Sequence, residues 1–130
     1  MLRKTLVPFV ATGILLTGCS NSADQSAGSS AEQLLSSAAD GDGARACEVL
    51  SPSTRSELEQ SSGKPCAQAI LEEHLSSGAL EKVDVFETMA VVYMEGETVF
   101  LSRFDSRWLV VAAGCTAVPG QPYDCAIQGG

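Results

Sequence analysis

The sequence predicts an α+β fold, with N-terminal helices packed on a four-stranded antiparallel meander sheet. Three observations carry this. Apolar residues recur at helical spacing up to Gly78 and at a spacing of two after it. The strand-like segments are joined by short polar turns, which are too short for a parallel crossover. Once the N-terminal signal and a Ser-rich start are set aside, about 100 residues remain, enough for one small domain.

The first helix is expected near Ser29. Ser29-Ser30-Ala31-Glu32 fits a capping box, and Leu34, Leu35, Ala38 and Ala39 form one apolar face. Asp40-Gly41-Asp42-Gly43 stops it. Acids beside glycines suggest calcium, but an EF-hand loop counted from Asp40 would have Arg45 where glycine is required and Ser51 where glutamate is required. Asp42 is instead expected to cap a second helix, Gly43 to Leu50. Ser51-Pro52 ends that helix and opens a third, through Glu59. A fourth runs from Pro65 to Ser77, with Cys66, Ala67, Ile70, Leu71, His74 and Leu75 as its buried stripe and Gly78 as its stop.

The strands are Lys82–Glu87, Met89–Met94, Thr98–Phe104 and Trp108–Ala113, rich in Val, Phe, Tyr and Leu. Glu95-Gly96-Glu97 and Asp105-Ser106-Arg107 are turns. Leu35, Ile70, Leu71, Phe86, Phe100 and Trp108 are expected to fill the core.

The N-terminus has a different logic. Arg3 and Lys4 precede an apolar run, Leu6 to Leu16, interrupted by Pro8 and Gly13. The run is too short to span a bilayer, which needs roughly 20 residues. It ends in Leu16-Thr17-Gly18-Cys19, which resembles the lipobox of bacterial lipoproteins. The resemblance implies cleavage between Gly18 and Cys19, a diacylglyceryl group on the Cys19 thiol, and residence on the extracytoplasmic face of the cell membrane. Residues 1–18 are then a signal peptide, 19–30 the lipidated cysteine and a flexible Ser-rich tether, and 31–130 the folded domain. Without Arg3 and Lys4 the mature chain keeps six basic residues against 16 acids, a net charge of −10, which disfavours nucleic acid as a partner.

Of the 5 cysteines, Cys47, Cys66, Cys115 and Cys125 remain beside Cys19. An even remainder in an exported chain reads as disulfides. Cys47–Cys66 and Cys115–Cys125 are favoured because each pair is local, the second closing a C-terminal tail. No C-x-x-C is present and His74 is the sole histidine, so no metal or cofactor is expected.

The helices-then-meander pattern over Ala31 to Ala113 is similar to cystatin-like and nuclear-transport-factor-like domains. Trp108-Leu109-Val110-Val111-Ala112-Ala113-Gly114-Cys115 with Pro122-Tyr123-Asp124-Cys125 is similar to small actinobacterial lipoproteins. The first resemblance implies a sheet curved around its helices; neither implies an activity. An isomerase of this type would need a carboxylate base and a donor in an apolar cone. Tyr93 and His74 are the candidates, but the strand acids Asp84, Glu87, Glu95, Glu97 and Asp105 fall at strand ends or turns. The expectation is a non-catalytic interaction domain, with a small-ligand pocket as the alternative. Both faces of the central strands are apolar, and helices cover one. The other, read as Met89, Val91, Tyr93, Trp108 and Val110, is the expected interface for an envelope protein or a second copy.

Overall fold

The computed structural model describes residues 22–129, together with Pro8 and Gly13. The rest of the expected signal peptide, with Gly18 and Cys19, lies outside the described residues. Among the described residues the order is α1 (Ser22–Ala39), α2 (Gly43–Cys47), α3 (Pro52–Ser62), α4 (Cys66–Glu72), β1 (Leu80–Phe86), β2 (Met89–Met94), β3 (Glu97–Phe104), β4 (Arg107–Thr116) and β5 (Asp124–Gln128).

The expected tether over 19–30 is helical from Ser22 onward, because α1 begins there. Its serines hide a stripe of small residues. Ala27, Gly28 and Ala31 are buried, and Ala23 packs against the core. They let the helix lie close to the sheet: a Cβ on Gly28 would stand 3.0 Å from Leu80 Cδ1. Leu34 and Leu35 then anchor the second half.

Asp42 caps α2, its carboxylate accepting from Arg45 N at 3.1 Å. Gly43 faces α4 so closely that a Cβ there would collide with the Ala67 carbonyl. The Cys47–Cys66 disulfide joins the same two helices. Ser51 caps α3, accepting from Thr54 N, with Pro52 in the first turn. Thr54 Oγ1 donates to Val111 O (3.0 Å) and so ties α3 to the sheet.

Pro65 brings no side-chain cap to α4, and the Glu59 carboxylate supplies one by accepting from Cys66 N at 3.1 Å. This helix ends at Glu72, not at the expected Ser77. The following segment is committed elsewhere: Ser76 Oγ donates to Glu95 O, and Ala79 O accepts from Glu95 N. His74 takes a φ of 50° and is exposed, so it does not belong to the buried stripe.

The sheet is an antiparallel meander in sequence order, β1 to β5. It has five strands where four were expected. The tail supplies the fifth, aligned on β4 from Ala112↔Gln128 to Thr116↔Asp124, and the Cys115–Cys125 disulfide lies across a directly paired position. A further short bridge joins Leu50 to Val110: Val110 N donates to Val49 O (2.7 Å) and Ser51 N to Val110 O (2.9 Å).

The inner face buries Ala90, Val92 and Met94 of β2, Val99 and Leu101 of β3, Trp108, Val110 and Ala113 of β4, and Ile127 of β5 against the helices. Trp108, expected both in the core and at the interface, and Val110, expected at the interface, are core residues, 4% and 0% exposed. The reason is the register set by the β3–β4 turn: from Phe104↔Arg107 onward, Trp108 falls opposite Arg103 and Val110 opposite Leu101, on the inner face. Leu101 pairs with Val110, but Phe100, the next residue back along β3, pairs with Ala112. The extra residue, Val111, then flips the alternation, so that Ala112 points outward although Trp108 and Val110 point inward.

Candidate functional site

The candidate site is the outer face of the sheet. Its residues follow from the register: Lys82, Asp84 and Phe86 of β1 pair with Tyr93, Val91 and Met89 of β2, and the latter two pair with Phe100 and Ser102 of β3. Leu109 and Ala112 continue the row on β4. Met89, Val91 and Tyr93 thus lie where the sequence placed them, on one face. Phe86 was expected in the core and is instead 61% exposed.

Part of this face is closed by the tail. The chain between β4 and β5 folds back, and Tyr123 meets Phe100 edge to face, with centroids 5.0 Å apart and planes at 76°. Ile127, further along the tail, goes to the core. Between the tail, the strands and α3 an open groove of about 760 Å3 remains, lined by Met89, Phe100, Ala112, Tyr123, Gln128 and Glu57. Its floor is apolar, and Glu57 and Gln128 supply polar groups.

The β1 side of the face is charged. Lys82 Nζ lies 3.0 Å from Asp84 Oδ2 and 5.6 Å from the Tyr93 ring centre. The Asp84 carboxylate, through its hydrogen bond, holds the Lys82 ammonium above its ordinary range. Tyr93 is therefore engaged by a neighbouring cation on the outer face. His74 stands in the loop after α4, and the structure does not bring these two isomerase candidates together in one apolar cone.

One buried acid needs separate notice. Glu97, expected in a turn, begins β3 opposite Met94 and is 6% exposed. Among the described residues neither carboxylate oxygen has a hydrogen-bond partner. Burial pushes its pKa up; the backbone amides of Gly114 and Ser76 pull the other way without reaching bonding geometry.

The space between helices and sheet is filled by Leu34, Leu35, Ile70, Val92, Val99, Leu101 and Val110, all under 2% exposed. The groove residues Phe100 and Tyr123 were legible as apolar, yet nothing in the sequence paired them, because Tyr123 lies in a tail without periodicity. No helix among the described residues is long and apolar enough to cross a membrane. Compared with family models, with curated proteins and with solved structures, the chain finds no match.

Proposed function

We propose that the chain is a lipoprotein, held on the extracytoplasmic face of the cell membrane by lipid on Cys19, whose domain binds another envelope protein without catalysing a reaction. The fold is read as cystatin-like: helices on one face of an antiparallel sheet, with irregularities in β1 and between β3 and β4 that favour a bend. The carrying observation is the apolar groove between Tyr123, Phe100 and Met89 on the face opposite the helices. A filled inner core argues against a ligand pocket between the layers, while the open groove suits an apolar segment of a partner.

The test is site-specific photocrosslinking on intact cells. A crosslinking residue at Met89 yields an adduct with one envelope protein, Tyr123→Ala reduces it, and the same residue at Gln68 on α4 yields none. An adduct with a second copy of the chain would reassign the face to self-association. Equal adducts at both positions, or none at Met89, reject the reading. In parallel, Cys19→Ser abolishes cleavage by the lipoprotein peptidase, and globomycin makes the uncleaved chain accumulate; unchanged processing rejects the anchor.

A further inference from the structure

The start of α1 and the exposed aromatic residues lie at one end of the domain. α1 runs antiparallel to β1. Leu35 lies beside Leu80 and Met94, while Gly28 lies beside Leu80 and Val83. Those contacts climb β1 as the helix is followed backwards. From Gly28 to Ser22 the helix extends about 9 Å further. From Val83 to Phe86 the strand extends about 10 Å. Both therefore finish at the end where β1 turns into β2. The other side of α1 agrees, since Ser26, Ser29 and Gln33 lie beside Ser106, Arg107 and Trp108 at the β3–β4 turn.

That end holds three of the exposed large apolar side chains: Phe86 at 61%, Met89 at 49% and Phe104 at 38%. All three fall on the outer-face parity of their strands. The two hairpin tips are joined, as Arg103 N donates to Thr88 O at 2.8 Å. Met89 stands between this lip and the groove.

Charge is distributed to match. Arg103 and Arg107 flank the tips and offset two of the three acids at this end, Glu87 and Asp105 in the tips and Asp24 in the first turn of α1. At the opposite end Glu81, Glu95 and Asp124 are exposed, in a chain that is acidic as a whole. An anionic surface therefore repels the far end more than this one.

Only Ser20 and Asn21 separate Cys19 from α1. Three peptide steps, even fully extended, span about 11 Å. A lipid on Cys19 thus brings the hairpin tips close to the headgroups, which a twelve-residue coil would not do.

We propose that this end of the domain docks directly on the bilayer, with Phe86 and Phe104 seated in the interface beside the lipid anchor and the groove held at a set orientation above it. The proposal rests on the lipidation of Cys19 read above. Exposed aromatic rings suit that boundary, and shallow insertion of a few side chains adds to an acyl anchor.

The experiment uses the mature lipidated chain in vesicles of phosphatidylcholine and phosphatidylglycerol with brominated acyl chains. An environment-sensitive fluorescent amino acid is placed at Ser106, in the β3–β4 turn, or at Glu95, in the opposite turn. The label at Ser106 is quenched and the label at Glu95 is not. Replacing Phe86 and Phe104 together by Ser lowers the docked-to-undocked ratio about tenfold, since the rings lose part of their transfer free energy. These are exposed positions, and an unchanged circular dichroism melt shows that the fold survives. Mass spectrometry of the N-terminal peptide reads the anchor independently. Lipid on Cys19 with both labels unquenched overturns the docking and leaves the anchor standing. A Ser106 label shielded on cells but not in vesicles overturns it in favour of a protein partner. No lipid on Cys19 removes the anchor and the docking together.

Discussion

Glu97→Gln should stabilise this domain at neutral pH. The wild-type carboxyl is 6% exposed, and neither oxygen has a partner among the described residues. Leaving a buried polar group unsatisfied costs about 1–3 kcal/mol, and more when it is charged. Gln keeps the shape and some of that penalty but removes the charge. With the Gly114 and Ser76 amides partly offsetting the burial, the expected gain is about 1–2 kcal/mol, or about 5–10 °C in Tm for a domain of this size. The pH dependence has a definite sign. Glu97 titrates above its ordinary 4.5 in the folded state, so the folded chain holds this proton more tightly than the unfolded one. Wild-type stability is therefore greatest below that value and falls as pH rises through the raised folded pKa. The variant lacks this loss. Melts of the mature chain in mild detergent, followed by circular dichroism at pH 4 and pH 8, should show a small difference at pH 4 and the full gain at pH 8. A less stable variant at pH 8 would mean that the carboxylate is held by a favourable partner, and the reasoning would fail.

Two further outcomes follow from the packing. Opening Cys47–Cys66 by paired Ala substitutions, or Cys115–Cys125 likewise, should cost about 3 kcal/mol each by loop-closure arithmetic, for separations of 19 and 10 residues, read as shifted urea midpoints. Loss of the second should also expose the segment between Thr116 and Asp124 to limited proteolysis, whereas loss of the first should not. Gly43→Ala should cost about 2–3 kcal/mol, because the added methyl meets the Ala67 carbonyl in the backbone of α4 rather than a side chain that can swing away; a urea midpoint equal to wild type would show that α2 and α4 can part freely.

What was legible in the sequence is mostly local chemistry. Asp42 and Ser51 cap the helices they were expected to cap, since short polar side chains before a helical stretch have few other uses. The local cysteine pairs are the bonded ones. The four hairpin strands appear because runs rich in Val, Phe, Tyr and Leu are separated by short polar turns. What was missed depends on tertiary context. Ala23, Ala27 and Ala31 are too small to declare a face until a sheet lies beneath them. β5 is short, follows Pro119 and Pro122, and is a strand because β4 offers it an edge. Hydrogen bonds to the β2–β3 turn, which no helical pattern announces, replace the last turn expected of α4. At the candidate site Met89, Val91 and Tyr93 were legible by parity alone. Trp108 and Val110 were not, because which of the two apolar sets of β4 faces inward is decided by the pairing at the β3–β4 turn, opposite Arg103 and Leu101, and leaves no mark in composition.

The bridge between Leu50 and Val110 has a consequence for the order in which the chain acquires its shape. β1 to β5 are neighbours both in sequence and in space, so each hairpin can close over a short loop. α2 and α3 precede all of them, yet their connection is stitched to β4, the fourth strand made. The helical half must therefore wait, with Val49, Leu50 and Leu58 uncovered, until β4 has been extruded and paired. That long closure carries a large loop entropy and is a natural slow step. The Cys47–Cys66 bond, which lies wholly within the waiting half, can form earlier and hold α2 and α4 together until β4 arrives.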